Sequence, residues 1–477
     1  MNEFVVVANR LPVDKIEDAD GNVSWKRSPG GLVSALEPLM RRRSGAWIGW
    51  PGSPAADGSS VEPERFTAGD IAMVAVPLTD QEVGDYYEGY SNGTLWPLYH
   101  DVVAPPEFHR HWYDAYRTVN QRFADAAAQE AAHGATVWVQ DYQLQLLPQM
   151  LREQRPDLRI GFFLHIPFPP TELFTRLPRR KELLEGLLGA DLVGFQRPGA
   201  AANFVRLSRD VLGLETSRHH VTTASGRRVT AKHYPISIDF MELDTLARQP
   251  ETLHRSEQLR RDLGNPKHVI LGVDRLDYTK GIDLRLKAFG ELLDEGRVSA
   301  EDTSYVQVAT PSRERVEQYR LMREQIEATV GRINGTHGRI GQQPIHYLHS
   351  SFDRDDLVAM LRLADVALIT PLRDGMNLVA KEYIASRVHS DGVLILSEFA
   401  GAAVELKQAV LVNPYDTDAM KDSIVKALTM PHKEQVDRMR PMRRRVRTFD
   451  VAAWAQSFLD DLAGAGAGSA SRPGRSH

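Results

Sequence analysis

Residues Ala364-Asp365-Val366-Ala367-Leu368-Ile369-Thr370 run straight into Pro371-Leu372-Arg373-Asp374-Gly375-Met376-Asn377-Leu378-Val379-Ala380-Lys381-Glu382-Tyr383, and the reading of this stretch decides the fold. The first seven residues form a short, partly β-branched apolar run, the pattern of a strand buried in a parallel sheet. Pro371, Asp374 and Gly375 keep the connection out of helical conformation, and Asn377 suits the N-cap of the helix that follows. Strand, loop and helix N-terminus together make an anion site. The amides of Leu378 and Val379 open the first turn, where the helix dipole adds partial positive charge for a diphosphate. Carboxylates repel phosphate, so Asp374 and Glu382 are read as partners for sugar hydroxyls, Asp374 for a hexose and Glu382 for a ribose diol. The implied ligand is a nucleotide sugar. A second account has Asp374 capping the turn and Glu382 pairing with a Lys or Arg on a solvated helix face.

Outward from this stretch the same alternation recurs. Apolar runs at Phe4 to Asn9, Ala46 to Trp50, Ile71 to Pro77, Thr136 to Val139, Ile160 to Ile166 and Leu192 to Phe195 are separated by helical patterns. A second set follows at Val269 to Val273, Tyr305 to Ala309, Ile345 to Leu348, Val366 to Thr370, Val393 to Leu396 and Val410 to Val412. Such alternation predicts an α/β chain with two doubly wound domains facing one cleft, ligands lying beyond the C-terminal strand ends. The expected divisions are 1–235, 236–448, a helix over 449–463 through Trp454 and Phe458, and a disordered tail over 464–477. Gly464-Ala465-Gly466 lacks a preceding strand and is discarded as a dinucleotide fingerprint.

Composition narrows the function. Over 477 residues, 58 Lys and Arg face 63 Asp and Glu for a net charge of -5, so no basic field invites nucleic acid. No cysteine occurs, which excludes disulfides, thiol nucleophiles and Cys-ligated zinc and fits a cytoplasmic location. The N-terminus enters strand-like Phe4-Val5-Val6-Val7-Ala8 without a signal-peptide pattern, and no apolar run reaches membrane-spanning length. The arginine runs Arg41 to Arg43 and Arg443 to Arg447 are expected at solvated helix ends.

Polar residues cluster where strands end. The first strand delivers Arg10; Ser28-Pro29-Gly30-Gly31-Leu32 then lets backbone approach a ligand closely at Gly30 and Gly31, unless the pair is a plain turn. Two further strands deliver Asp141 and His165, and the alternative for His165 is a satisfied core histidine. In Val273-Asp274-Arg275-Leu276-Asp277-Tyr278-Thr279-Lys280-Gly281, Arg275 and Lys280 suit one diphosphate, unless Asp274 and Asp277 neutralise them. Arg313 follows another strand and, with Arg10, suits a second phosphate. Tyr87 and Trp96 offer hydroxyl and indole donors or a wall for a sugar ring, or else serve as ordinary core aromatics. Metal sites are not expected: Asp18-Ala19-Asp20 reads as a solvated turn, and His109, His111, His219 and His220 are poorly aligned.

Five stretches carry a resemblance: Asn9-Arg10-Leu11-Pro12-Val13, Trp138-Val139-Gln140-Asp141-Tyr142, Gly161-Phe162-Phe163-Leu164-His165-Ile166-Pro167-Phe168-Pro169, Val273 to Gly281, and Leu372 to Val379. Together they resemble the trehalose-6-phosphate synthase family, in the expected order from about Phe4 to about Leu462. The resemblance implies a GT-B fold of two Rossmann-like domains, with the C-terminal helix returning to the first. It also implies transfer of glucose from a nucleoside diphosphate glucose to glucose 6-phosphate with retention, without metal or cofactor. By position, Arg10, Tyr87, Trp96 and Arg313 would hold the acceptor's phosphate and Asp141 its ring. Gly30, Gly31, Arg275, Lys280, Leu378 and Val379 would hold the donor diphosphate. His165, Asp374 and the amides of Gly375, Met376 and Asn377 would meet the transferred glucose, Glu382 the ribose and Phe352 the base. The charged segment Asp14 to Arg27 is expected to be a loop that closes over the donor, and a homo-oligomer is expected. Three rivals are a relative coupling cyclitols, which would depart from the Asn9-Arg10-Leu11-Pro12 region kept here, a silent sugar-phosphate sensor, which would have lost some of Arg10, Arg275, Lys280 or Glu382, and a phosphorylase with pyridoxal phosphate on Lys280, which would absorb visible light.

Overall fold

The computed structural model describes residues 1–17, 23–27, 36, 40, 45–55, 62–68, 71–313 and 315–467. Its chain divides into two compact units, Met1–Pro235 with Ala452–His477, and Ile236–Val451.

In the first unit the strands are β1 (Asn2–Arg10), β2 (Val13–Glu17), β3 (Val23–Arg27), β4 (Ala46–Trp50), β5 (Glu64–Ala68), β6 (Ile71–Ala75), β7 (Ala131–Gln140), β8 (Arg159–Leu164), β9 (Leu192–Phe195), β10 (Glu215–Ser217), β11 (His220–Thr222) and β12 (Arg228–His233). Ten of them form one sheet in the order β10-β11-β12-β9-β8-β7-β1-β4-β6-β5. The stretch from β12 to β6 is parallel, and the two edges are finished by antiparallel pairs. Val5, Val6 and Val7 of β1 lie opposite Val137, Trp138 and Val139 of β7, all fully buried, as a strand covered on both faces requires. The chain leaves β1 toward β4 and β6 and later returns to its other side at β7, which makes the β1/β7 boundary a topological switch point.

Two differences from the sequence reading concern this unit. The segment Asp14 to Arg27 is not one loop: β2 and β3 pair antiparallel, Val13 opposite Arg27 and Ile16 opposite Ser24. The charges between the apolar positions hid a period of two. The terminal helix runs Val451–Ala467, beyond residue 463, because the Ala-rich end favours helix despite its glycines; residues 468–477 lie outside the described residues.

That helix completes the first core. Phe458 stacks on Trp138 with ring centres 4.6 Å apart, and Trp454 meets Phe163 edge-on at 5.1 Å. Gly161 and Gly194 make room for it, since a Cβ at either would come within 2.8 Å of Phe458. Tyr234 Oη and Lys232 Nζ donate to Asp461 Oδ2 at 2.6 and 3.0 Å.

The second unit holds β13 (His268–Arg275), β14 (Thr303–Thr310), β15 (Ile345–Leu348), β16 (Val366–Ile369), β17 (Val393–Ser397) and β18 (Val410–Val412) in the order β15-β14-β13-β16-β17-β18, all parallel. This is the doubly wound order, with its switch point between β13 and β16. Ile270, Leu286, Phe289, Tyr305, Leu368 and Ile395 centre its core. Helix His432–Thr448 carries the second arginine run, which is not simply solvated. Arg443 bonds Asp244 and the carbonyls of Ile384 and Ala385, and Arg445 reaches Glu405 at 2.8 Å. The last-turn carbonyls of helix Leu378–Ser386, beyond the reach of intrahelical N–H groups, attract Arg443. The run Arg41 to Arg43 lies outside the described residues.

Candidate active site

In the second unit the residues singled out in the sequence gather at the switch point. Arg275 ends β13, Lys280 follows in a short helical turn, and Thr370 to Asn377 cross from β16 to the helix Leu378–Ser386. Lys280 Nζ donates to Asp374 Oδ2 at 2.6 Å, so the two loops are joined directly. Asn377 Nδ2 adds a 3.3 Å contact to the same oxygen, while Oδ1 accepts the Met376 N–H at 3.2 Å. The Met376 amide, expected to meet the sugar, is therefore taken by Asp374. Gly375 is buried, its carbonyl lying against Gly401 beyond β17.

Asn377 caps the helix, its Oδ1 accepting from the Ala380 N–H at 3.1 Å with φ at 80°. Leu378 and Val379 thus present the first-turn amides, which no intrahelical carbonyl reaches. One turn on, Glu382 is partly buried; burial raises its pKa, against the charge of Arg354. Phe352 precedes the Asp353 cap of helix Arg354–Leu363 and is half-buried.

The expected neutralisation of Arg275 and Lys280 by Asp274 and Asp277 takes another form. Asp274 bonds the fully buried Arg285, which also reaches Gln307 Oε1 at 3.0 Å and the Leu368 carbonyl at 3.1 Å. Asp277 accepts from Arg313 Nη1 at 2.9 Å and caps the turn through Thr279. Burial works against the Asp277 carboxylate, yet Arg313, Arg275 and Lys280 hold its pKa at about 2. Arg313 also bonds Tyr319, so this cation, expected on the acceptor phosphate, is almost wholly buried against its own unit.

In the first unit Arg10, Asp141 and His165 stand at the C-terminal ends of the neighbouring strands β1, β7 and β8. Arg10 lies over the Trp50 ring at 4.9 Å and reaches the Gly52 carbonyl at 3.5 Å. Gly52 has φ at 98°, and a Cβ there would come within 2.1 Å of the guanidinium. Tyr87 packs on Trp50 with ring centres 5.6 Å apart. Trp96, buried, lies 4.1 Å from the His100 ring and 5.6 Å from that of Tyr142. The segment Val83–Leu95 before it is wound as a wide helix with i to i+5 bonding, a rare form often found at functional sites.

Asp141 takes a φ of 71°, and its Oδ1 accepts the main-chain N–H of His165 at 3.0 Å. The imidazole contacts two glutamines, Gln140 at 2.9 Å and Gln196 at 3.5 Å, and burial pushes its pKa down to about 3. Gly30 and Gly31 lie outside the described residues, as does Asp18-Ala19-Asp20. Among the described residues no group of three His, Asp or Glu is placed to hold a metal ion. Gly52, Gln140, Gln196 and Arg285 escaped the sequence reading; only Gln140, beside Asp141, stood within a quoted motif.

The sequence pattern of glycosyltransferase family 20 matches residues 2–464. The chain belongs to glycosyltransferase family 20. A trehalose-6-phosphate synthase of Mycolicibacterium vanbaalenii is 58% identical over 470 residues, 97% of this chain and 96% of that one. One from Mycobacterium tuberculosis is 56% identical over 478 residues, covering 97% and 95%. Among solved structures, a Burkholderia xenovorans alpha,alpha-trehalose-phosphate synthase (UDP-forming) in complex with glucose-6-phosphate superposes with a TM-score of 0.88 at 34% identity, covering 97% of this chain and all of that one. An E. coli structure bound with UDP-2-fluoro glucose gives 0.87 at 36%, covering 96% and 98%. The fold of this family member is GT-B, with two Rossmann-like domains.

Proposed function

We propose that this chain is a retaining glucosyltransferase, an α,α-trehalose-phosphate synthase, joining a nucleoside diphosphate glucose to glucose 6-phosphate to give α,α-trehalose 6-phosphate and the nucleoside diphosphate. The observation that carries the reading is the β13/β16 switch point, where Arg275, Lys280 and the first-turn amides of Leu378 and Val379 converge beside Asp374. Cations and oriented amides favour the charge that develops on a departing diphosphate. Carboxylates at Asp374 and Glu382 orient hexose and ribose hydroxyls, and Arg10, Tyr87 and Trp96 receive the acceptor's phosphate. The anomeric carbon loses its bond to the diphosphate oxygen and gains one to the acceptor hydroxyl, whose proton passes to the departing phosphate oxygen on the same face. Orientation and electrostatics supply the rate, with no protein nucleophile.

The similarity to trehalose-6-phosphate synthases over 97% of the chain supports this reaction, and the ligands of the Burkholderia and E. coli structures support both substrates. The complete lack of cysteine supports a cytoplasmic setting. Self-association belongs to the same proposal and is read by light scattering. The deciding experiment incubates the protein with glucose 6-phosphate and uridine, guanosine or adenosine diphosphate glucose, with and without chelator, and follows nucleoside diphosphate and disaccharide phosphate. Transfer that persists with chelator is expected; no disaccharide phosphate with any donor overturns the reading.

A further inference from the structure

The His165 ring is held by two uncharged amides. Gln140, the last residue of β7 and fully buried, sets its Oε1 2.9 Å from Nε2. Gln196, just beyond β9 and also buried, sets its Nε2 3.5 Å from Nδ1. An amide oxygen accepts and an amide nitrogen donates, so with both amides in these orientations the ring carries its proton on Nε2 and a lone pair at Nδ1. The Gln140 NH2 group is itself buried with no acceptor among the described residues, so its amide serves the ring rather than its own hydrogen bonding.

Among the described residues no charge enters from the elements around the ring to change that state. Phe163 on β8 lies 4.6 Å away and Trp454 on the terminal helix 6.1 Å, both apolar faces. Asp141, at the end of β7, commits Oδ1 to the His165 main-chain N–H, and Asp461 on the terminal helix is taken by Lys232 and Tyr234. Burial alone lowers the imidazole pKa, to about 3.

We propose that Gln140 is a positioning residue that fixes His165 as the neutral Nε2–H tautomer, leaving Nδ1 to accept a hydrogen bond from a hydroxyl of the transferred hexose. This rests on the function proposed above. At 3.5 Å the Gln196 contact is long enough to yield to a substrate hydroxyl. Neutrality matters because the anomeric carbon becomes cationic as the diphosphate leaves, and an imidazolium beside it would oppose that charge. A carboxylate at position 140 would accept the same N–H but would draw a second proton onto the ring. The amide holds the geometry without the charge.

The test reads the His165 ring by 15N NMR in the ligand-free full chain, and kcat and KM against pH, for the protein and for Gln140→Glu and Gln140→Leu. The unaltered ring is expected as the Nε2–H tautomer with no titration between pH 5 and 8. In Gln140→Glu the ring titrates within that range. There kcat falls below the new pKa, by up to about tenfold per pH unit, and recovers above it, KM staying within about twofold. Gln140→Leu loses the tautomer preference, and its kcat falls equally at all pH values. An Nδ1–H tautomer in the unaltered protein, its titration near the ordinary histidine value, or a Gln140→Glu profile parallel to the unaltered one with a titrating ring overturns the proposal. Should Gln140→Glu not fold, Gln196→Glu and the unaltered spectrum decide by the same criteria. The spectra need no substrate, so an inactive but correctly tautomeric protein would overturn the proposed function and leave the Gln140 assignment standing.

Discussion

Lys280 Nζ lies 2.6 Å from Asp374 Oδ2, so a cation from the loop after β13 and an acid from the loop after β16 neutralise each other across the switch point. Both side chains are largely buried, where such a pair is less screened than at a surface. In the proposed reaction a diphosphate arriving there would compete with Asp374 for Lys280 and release that acid toward the hexose.

Lys280→Ala is therefore expected to lower kcat/KM by about 10²- to 10³-fold, the range found when one donor to a developing anion is removed. Far-UV circular dichroism stays unchanged, because Asn377 and the Met376 amide still hold Asp374. Near-normal turnover would remove Lys280 from the diphosphate site.

Asn377 combines a capping oxygen with a left-handed backbone at φ 80°. Alanine supplies neither, and Asn377→Ala should cost about 1–2 kcal/mol of unfolding free energy. Asn377→Gly keeps the backbone freedom and should lose only a few tenths. Urea titrations of the two variants compare them, and equal losses would show that the cap contributes nothing.

A Cβ at Gly52 would overlap the Arg10 guanidinium and meet an unfavourable φ of 98°. Gly52→Ala displaces Arg10 from its seat over Trp50 and raises KM for glucose 6-phosphate about tenfold or more, with KM for the sugar donor changed less; initial-rate kinetics in both substrates separate the two.

The buried His165 also sets a pH dependence of stability. Its folded pKa, about 3, lies below the ordinary value of 6.5, so between these limits the unfolded chain binds a proton that the native one does not. Stability then falls as pH drops through that window, by up to about 1.4 kcal/mol per unit. Between pH 7 and 5 the unaltered protein should lose about 2 kcal/mol more than His165→Gln in urea titrations.

Asp277 joins Arg313 to the turn before Lys280, and its pKa near 2 keeps it charged throughout the neutral range. Asp277→Asn leaves Arg313 buried without its counter-ion and should cost about 3–5 kcal/mol, read as a lower Tm. A Tm within 2 degrees or so of the unaltered protein would mean Arg313 finds another partner.

Much of this arrangement is written locally. The run Val366 to Ile369, the breaks at Pro371 and Gly375 and the capping Asn377 are each legible from residue type, because strand, turn and cap chemistry act within a few positions. Arg10, Asp141 and His165 stood out because a polar residue ending a buried strand is conspicuous. What escaped depends on contacts between distant positions. Gly52 matters through Arg10, 42 residues earlier, and Arg285 through Asp274 and Leu368 on separate strands. Gln140 and Gln196 carry no charge, so nothing in their type advertises a hold on His165. The β2/β3 pair was missed because its charged residues resembled a loop, although Asp20-Gly21 is an ordinary hairpin signal.

Because Phe458 and Trp454, near the end of the chain, fill the core beneath Trp138 and Phe163, the first unit cannot finish packing while it is being synthesised. Those rings leave the ribosome only after the entire second unit has been translated. Until then β7, β8 and β9 present an uncovered apolar floor to the cell, and a nascent chain stalled before Ala452 would be a client for chaperones rather than a half-enzyme. Release of the terminal helix is thus the moment at which the first unit can close its core.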